Sequence, residues 1–373
     1  MEGGSSRVVV HHAASALSFS QAISPTPASF RHPVRMRALV TVPGNGHSRL
    51  ERSCEQLACM AHPVTSICVC VVAYVWALGF DARGSPPLRE KLPYERASGD
   101  GAGAIAAGSA LNALYLMCYV VGCTLLFVVL FKYRRRKTLL CLLAVLFGGV
   151  IGFFFAFLCY RVLRAWRVPC DAVSFVLAAV NVAVTGVALI FWDLWAQKAP
   201  TANMVARQGL ATKVFLLFKC AGLTLPFMFF DEWTVWAFLC AIVVWDLFAV
   251  LTPCGPLRYI MEIHQQRMLS GDEFEMPPGM VYEGTSFTLG TGDFVFYAVL
   301  AGRAAVAGYV PAAATLLAVV FAVLSTVYTT VRSSHDTLPA LPIAVVIGVI
   351  MFFLSKYVLA PFVDSTAKAA LFA

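Results

Sequence analysis

The sequence predicts an all-α polytopic membrane protein with nine transmembrane helices, its N-terminus cytosolic and its C-terminus luminal or extracellular. Three observations predict it. Hydrophobic residues fill 60% of the 373 positions and charged residues 13%, against about 25% charged in an ordinary soluble domain. From Pro63 onward, apolar runs recur at lengths near the ~20 residues that cross a bilayer as a helix. The densest basic cluster, Lys132-Tyr133-Arg134-Arg135-Arg136-Lys137, lies between the second and third runs. The bias of Lys and Arg toward the cytosolic side then orients the other spans.

Residues 1–61 stand apart from the rest. They are rich in Ser, Pro, Arg and His, and Glu2 is the only acid before Glu51. They are expected to form a disordered cytosolic tail, although an Arg- and Ser-rich, acid-poor composition is also that of a transit peptide. A start at Met36 or Met60 would shorten the segment, and Val8-Val9-Val10 is too short for the apolar core of a secretory signal.

Residues 62–251 hold six helices, read as Pro63–Phe80, Ala106–Phe131, Thr138–Tyr160, Cys170–Trp192, Ala211–Phe229 and Trp233–Leu251. Residues 252–288 form a cytosolic loop in which Leu257–Arg267 has the make-up of an interfacial amphipathic helix. Residues 289–373 hold helices seven to nine, Leu289–Gly308, Val310–Val331 and Leu338–Leu359, and the C-terminal end. The run from Phe294 to Val331 is too long for one crossing, and Gly308-Tyr309-Val310-Pro311 divides it. Arg161, Arg164 and Arg167, after helix three, oppose the assigned orientation.

The net charge of +8 is scattered through the loops. That distribution fits membrane flanks better than a nucleic-acid-binding surface, and no nucleic acid is expected. Most of the twelve cysteines lie inside apolar runs (Cys68, Cys70, Cys118, Cys123, Cys141, Cys159, Cys220 and Cys240). They are expected to be buried free thiols. No cysteine pair has zinc-type spacing with histidines, so neither a metal nor another cofactor is expected.

Two acids break the apolar pattern. Asp246 lies in Ala241–Val250 and Asp293 in Leu289–Leu300. A charged residue at a helix centre costs roughly 2.5–3.5 kcal/mol on insertion scales, which makes such acids functional candidates. Asp246 precedes Pro253 by seven residues and Asp293 follows Ser286 by seven. Each is therefore expected about 10 Å inside the cytosolic end of its helix, at matched depth on adjacent antiparallel helices. Two carboxyls held close in a poorly solvated site share one proton. One then acts as a base on water while the other donates to a carbonyl oxygen. Gly290 and Gly292 relax the start of helix seven, so that its first turn can be extended and pair with another strand. The bland reading of a single Asp near a helix end is an interfacial residue, which suffices for Asp193, Asp231 and Asp364. For Asp246 and Asp293 together, the rivals are a structural carboxyl pair and an ion path.

The residues around both acids carry a resemblance. Trp245–Arg258, Trp-Asp-Leu-Phe-Ala-Val-Leu-Thr-Pro-Cys-Gly-Pro-Leu-Arg, resembles the Tyr-Asp segment of presenilins and the Gly-Pro-Leu-Arg that follows it. Leu289–Ala304 resembles the presenilin Gly-x-Gly-Asp helix, and Leu338–Ile343 carries the Pro-Ala-Leu motif. Phe131–Arg134, Asp231–Trp233 and Pro361–Asp364 are similar as well. The resemblance runs from about His62 to the C-terminus. It implies an intramembrane aspartyl protease that cleaves the transmembrane helices of type I proteins, with Asp246 and Asp293 as the catalytic acids. The substrate would dock as an extended segment at Gly290, Thr291, Gly292, Pro339, Ala340 and Leu341, with Trp245 supporting the first acid.

The implied setting is a gamma-secretase-like complex with a nicastrin-like receptor and small multi-span subunits. Its membranes would be those of the endoplasmic reticulum, Golgi or endosomes, or the plasma membrane. Signal peptide peptidases share the motifs in the opposite orientation, but Gly255–Arg258 and Phe296–Leu300 favour the presenilin reading. A non-proteolytic calcium leak or trafficking scaffold is the alternative outside proteolysis, and a secondary transporter fits poorly without a visible repeat.

The sequence also departs from the family pattern. Trp245 replaces the usual tyrosine, and Thr291 stands where leucine is common, a change expected to alter pocket preference. Lys356 replaces an acid near the luminal end of helix nine and is read as snorkelling to the interface. Lys219 lies deep in helix five and is expected to face the bundle, its partner unassigned. The loop between helices six and seven is much shorter than in animal presenilins, which cut themselves there. Glu275–Tyr282 is either a remnant of that region or an ordinary loop.

Overall fold

The computed structural model describes residues 49–80, 92–95, 99–192, 202–252, 255, 279–283, 288–332 and 340–368. Within them run α1 (Arg49–Leu78), α2 (Ala102–Lys132), α3 (Arg136–Trp166), α4 (Ala172–Ile190), α5 (Ala202–Phe229) and α6 (Glu232–Leu251). A short β1 (Val281–Glu283) and β2 (Thr288–Gly290) precede α7 (Thr291–Ala307), α8 (Tyr309–Arg332) and α9 (Ala340–Leu354). A π-helical turn, Ser355–Leu359, joins α9 to a last helix, α10 (Ala360–Lys368). Eight of the described helical stretches are long and apolar enough to cross a bilayer. The ninth span is α7, whose 17 residues sit at the lower end of what a crossing needs.

The nine predicted membrane helices are all present among the described residues, and the boundary differences have local causes. α1 begins at Arg49 rather than Pro63, and only Ala61–Leu78 has membrane-spanning character. Pro63 has no N–H to donate, and nearby the Thr65 hydroxyl donates to the carbonyls of Ala61 (2.7 Å) and His62 (3.0 Å). α3 continues past Tyr160 to Trp166, where Arg167 ends it in the left-handed region (φ 53°). The guanidinium of Arg161 donates to the carbonyl of Leu78 at the end of α1. This arginine, which ran against the orientation rule, closes a neighbouring helix. α4 and α6 start on aspartate caps: Asp171 accepts from Val173 and Ser174 N–H, and Asp231 from Trp233 N–H.

The core is organised around α7, which packs against α1, α5, α8 and α9. Apart from the part-buried Phe296, every residue from Phe294 to Ala305 is buried. Gly302 permits that closeness, since a Cβ there would stand 2.8 Å from Val71 Cγ1 on α1 and 3.0 Å from Met228 Cε on α5. Beside this centre, α2 packs on α6, and α3 on α4 and α5. Their outward faces keep large apolar side chains exposed, among them Leu114, Tyr119 and Val184, as lipid-facing surfaces do. A second apolar cluster, Phe131, Leu139, Leu143, Phe147, Ile151, Ile190 and Phe191, closes the end of the bundle nearest Lys132–Lys137.

The nine cysteines whose side chains are described are all free thiols, as expected. The expectation that they are buried holds for Cys68 and Cys220 and fails for Cys70, Cys118, Cys123, Cys141 and Cys240, which face outward. An apolar run around a thiol signals contact with lipid as readily as with protein. The segments 1–48 and 257–267, and with them the amphipathic loop helix, lie outside the described residues.

Candidate active site

The Gly-Thr-Gly-Asp segment changes conformation midway. Thr288–Gly290 is a strand paired antiparallel with Val281–Glu283, in the register Val281↔Gly290, Tyr282↔Leu289 and Glu283↔Thr288. The N–H of Thr291 donates to the Met280 carbonyl (3.0 Å), extending the ladder one step beyond the strands. Gly290, extended at φ −61° and ψ 132°, then caps α7. The expected extended start of helix seven is thus present as β2, and its partner within the chain is the tail of Glu275–Tyr282. Sequence counting set Asp293 seven residues inside its segment. With the strand taking up the residues before Thr291, Asp293 instead falls in the first turn of α7.

Asp293 is only partly exposed and folds back toward the strand. Its Oδ2 lies 3.7 Å from the point where a side chain on Gly290 would begin. Asp246 is part-buried near the C-terminal end of α6. The carboxyls of Asp246 and Asp293 lie within electrostatic reach of each other. Sequence reasoning treated α6 and α7 as packed neighbours. α6 instead packs mainly on α2 and α9, and it meets α7 through Phe238 against Phe296, with ring centroids 6.3 Å apart. Trp245, beside the first acid, is half-buried and rests on Phe248 (5.7 Å between centroids).

One group near the acids was missed. Tyr297 stands one turn after Asp293 on the same face of α7. It is fully buried, and its hydroxyl has no hydrogen-bond partner among the described residues. Both carboxyls and the buried Cys68 of α1 lie within its electrostatic reach. The i, i+4 spacing from Asp293 is visible in the sequence, but a tyrosine in an apolar run carries nothing that separates it from ordinary core.

The other candidates divide. Gly290 and Thr291 adjoin the acid, and Gly292 is exposed. Ala340 opens α9 and Leu341 is packed in the core, 4% exposed; Pro339 lies outside the described residues. α9 packs against both α6 and α7, and its far end meets the start of α6 through Phe352 on Trp236 and Lys356 on Glu232, so its first turn is at the same end of the bundle as the acids.

Thr291 is buried and its hydroxyl is engaged. It is 7% exposed, and its hydroxyl lies 3.2 Å from the Gly279 carbonyl and 3.1 Å from the Met280 carbonyl. Lys219 finds its partners here: its Nζ donates to the Gly279 carbonyl (2.6 Å) and the Thr291 hydroxyl (3.4 Å). Lys356 does not reach for the interface alone, as expected, but pairs with Glu232 at 2.6 Å.

Comparison with known proteins agrees with the motifs. A family model described as Presenilin matches residues 51–287 and 271–363. The chain is 30% identical over 277 residues to Presenilin-B of Dictyostelium discoideum, covering 72% of this chain and 54% of that protein. It is 34% identical over 176 residues to the presenilin homolog of Drosophila melanogaster, covering 47% and 29%. It is 23% identical to a presenilin-like protein of Arabidopsis thaliana, covering 83% and 94%. The chain thus spans about half the length of the Dictyostelium relative and nearly all of the Arabidopsis one.

Proposed function

Because the chain belongs to the presenilin family, we propose that it is an intramembrane aspartyl endopeptidase. It hydrolyses peptide bonds within the transmembrane helices of type I membrane proteins, as the catalytic subunit of a gamma-secretase-like complex. The observation that carries this reading is the approach of Asp246 and Asp293 from two helices at one end of the bundle.

In the proposed reaction the pair holds one proton between its carboxyls. The ionised carboxyl takes a proton from water as the oxygen bonds to the scissile carbonyl carbon. The protonated carboxyl gives its proton to the carbonyl oxygen, yielding a gem-diol. One carboxyl then gives its proton to the amide nitrogen while the other carboxylate takes one from a gem-diol hydroxyl; the C–N bond breaks as the C=O forms, leaving a carboxylic acid and an amine and the pair again holding one proton. Which aspartate starts ionised is a property of the pair. The Tyr297 hydroxyl, a buried donor in reach of both acids, is assigned to the gem-diol oxygen, where a prealigned donor stabilises developing charge.

A transmembrane helix must be unwound before its backbone can be attacked. β2 has a strand neighbour on one side only among the described residues, and a substrate strand adds to the other. Gly290, Thr291 and Gly292 are assigned to bring that strand to Asp293, with Ala340, at the start of α9, beside it. Both acids sit at the end of the bundle that carries Lys132–Lys137, which makes cleavage occur near the cytosolic face. A nicastrin-like receptor and small multi-span subunits complete the complex, in endoplasmic reticulum, Golgi or endosomal membranes.

The test is cleavage of a single-span membrane stub by the wild type and by Asp246→Ala and Asp293→Ala, in cells lacking their own presenilin. Undiminished cleavage in either variant overturns the dyad. A phenotype that persists in the double variant points instead to a leak or scaffold role.

A further inference from the structure

Two departures from the family pattern, Lys219 and Thr291, explain each other. Lys219 sits within α5, 1% exposed. Its ammonium faces three groups from three places: the Gly279 carbonyl at 2.6 Å, the Thr291 hydroxyl at 3.4 Å and the Phe147 ring of α3, 4.0 Å from the centroid. A carbonyl, a hydroxyl and a π-face satisfy a buried cation without neutralising any nearby acid. Thr291 adds its own links to the Gly279 and Met280 carbonyls. On the other side of the same contact, Gly279 is left-handed (φ +81°), and a Cβ on it would stand 2.7 Å from Phe147 Cε2 and 2.8 Å from Ile190 Cγ2. The approach to β1 is therefore wedged between α3 and α4 and pinned from α5. Leucine at position 291 would offer the ammonium no acceptor.

We propose that Lys219 and Thr291 form a clamp that fixes the register of β1 on β2, and through it the register in which a substrate strand meets Asp293. Each strand has only three residues, and a two-stranded ribbon of that size does not hold itself together. A slip of one residue would reverse which side chains face the acids. The clamp resists that slip from outside the ladder, because it grips the carbonyls just ahead of β1 and the residue just after β2. Lys219 and Thr291 are positioning residues and take no proton in the reaction. The inference rests on the proteolytic reading above.

The experiment is product mapping by mass spectrometry, with the full chain and its partner subunits cleaving a single-span membrane stub. The variants are Thr291→Ser, Thr291→Val, Lys219→Met and the double Lys219→Met/Thr291→Leu. Thr291→Ser keeps the hydroxyl and is expected to keep the wild-type cleavage sites. Thr291→Val keeps the shape and loses the acceptor; it and Lys219→Met are expected to spread cleavage to neighbouring bonds and lower turnover about tenfold. The double variant, which removes both halves of one contact, is expected to be no worse than Lys219→Met alone.

A Thr291→Val enzyme with wild-type cleavage sites overturns the clamp, and it decides the matter even where Lys219→Met fails to accumulate. Losses confined to protein abundance with sites unchanged also overturn it, by reducing the contact to a stability role. Cleavage that survives Asp293→Ala overturns the proteolytic reading itself and is separable from either result.

Discussion

The two ends of the bundle handle charge in opposite ways. At the end away from the acids, Glu232 pairs with Lys356 at 2.6 Å, tying the start of α6 to the π-helical turn after α9. Arg303, 2% exposed, donates to the Phe230 carbonyl and lies within electrostatic reach of Asp231 and Glu232. Opposite charges there meet and hold helices together. At the other end two acids lie within electrostatic reach of each other, and neither has a cationic partner among the described residues. The cation close by in sequence contacts, Lys219, is occupied with a carbonyl and a hydroxyl instead. Charge neutralisation fastens one end. At the other, Asp246 and Asp293 have no salt bridge among the described residues, and the proposed sharing of one proton requires that, because a cation beside them would hold both carboxyls ionised.

Experiments that would break this contrast can be ordered by size. Asp293→Ala and Asp246→Ala are expected to lower cleavage by about a thousandfold or more, because each removes half of the proton inventory; product formation from a membrane stub measures it. The same pair predicts a bell-shaped dependence of kcat/KM on pH. Below both pair pKa values no carboxylate remains to act as base, and above both no carboxylic acid remains to donate. A monotonic profile would count against a shared proton.

Next, Tyr297→Phe deletes one oxygen without changing the ring. It is expected to lower kcat about a hundredfold with KM little changed, and to weaken a hydroxyl-bearing transition-state isostere more than a substrate. Trp245→Ala should lower turnover about tenfold while Trp245→Phe stays within about twofold, since an aromatic contact is worth roughly 0.5–1.5 kcal/mol. Smallest, Glu232→Gln should reduce stability by about 1 kcal/mol with turnover intact, because the pair is only part-buried and partly screened. A thermal midpoint in detergent reads the first effect and stub cleavage the second. A large loss of turnover in Glu232→Gln would erase the distinction between the ends.

Much of this was legible in the sequence for a definite reason. Apolar run length reports membrane crossing directly, so the spans from α2 to α8 fall within a few residues of expectation, apart from extended ends of α3 and α5. The two acids stood out because the bilayer makes each of them expensive. What stayed hidden was contact without periodicity. Lys219 answers to a backbone carbonyl sixty residues away, and any residue type can supply a carbonyl. Lys356 answers to Glu232, across 124 residues, with no spacing rule to link them. The hairpin was half legible: Gly290 and Gly292 announced an extended start for α7, but nothing in Val281–Glu283 marked it as the partner strand. The packing of α6 on α2 and α9, and not along α7, was likewise invisible to a depth argument.

α7 also has a history during synthesis. A helix of 17 residues carrying Asp293 and Arg303 is a poor candidate to leave the translocon alone, since each charge opposes lipid entry. It is followed at once by the apolar α8, with only Gly308 between them. The two are expected to enter as a hairpin, α8 carrying α7 in with it. Since α7 packs on α1, α5, α8 and α9, its environment is complete only when α9 has been made. A ribosome stalled before α9 should therefore leave α7 open to modification from water at positions that are sealed in the finished protein, and cysteine accessibility along Phe294–Ala305 would time that closure.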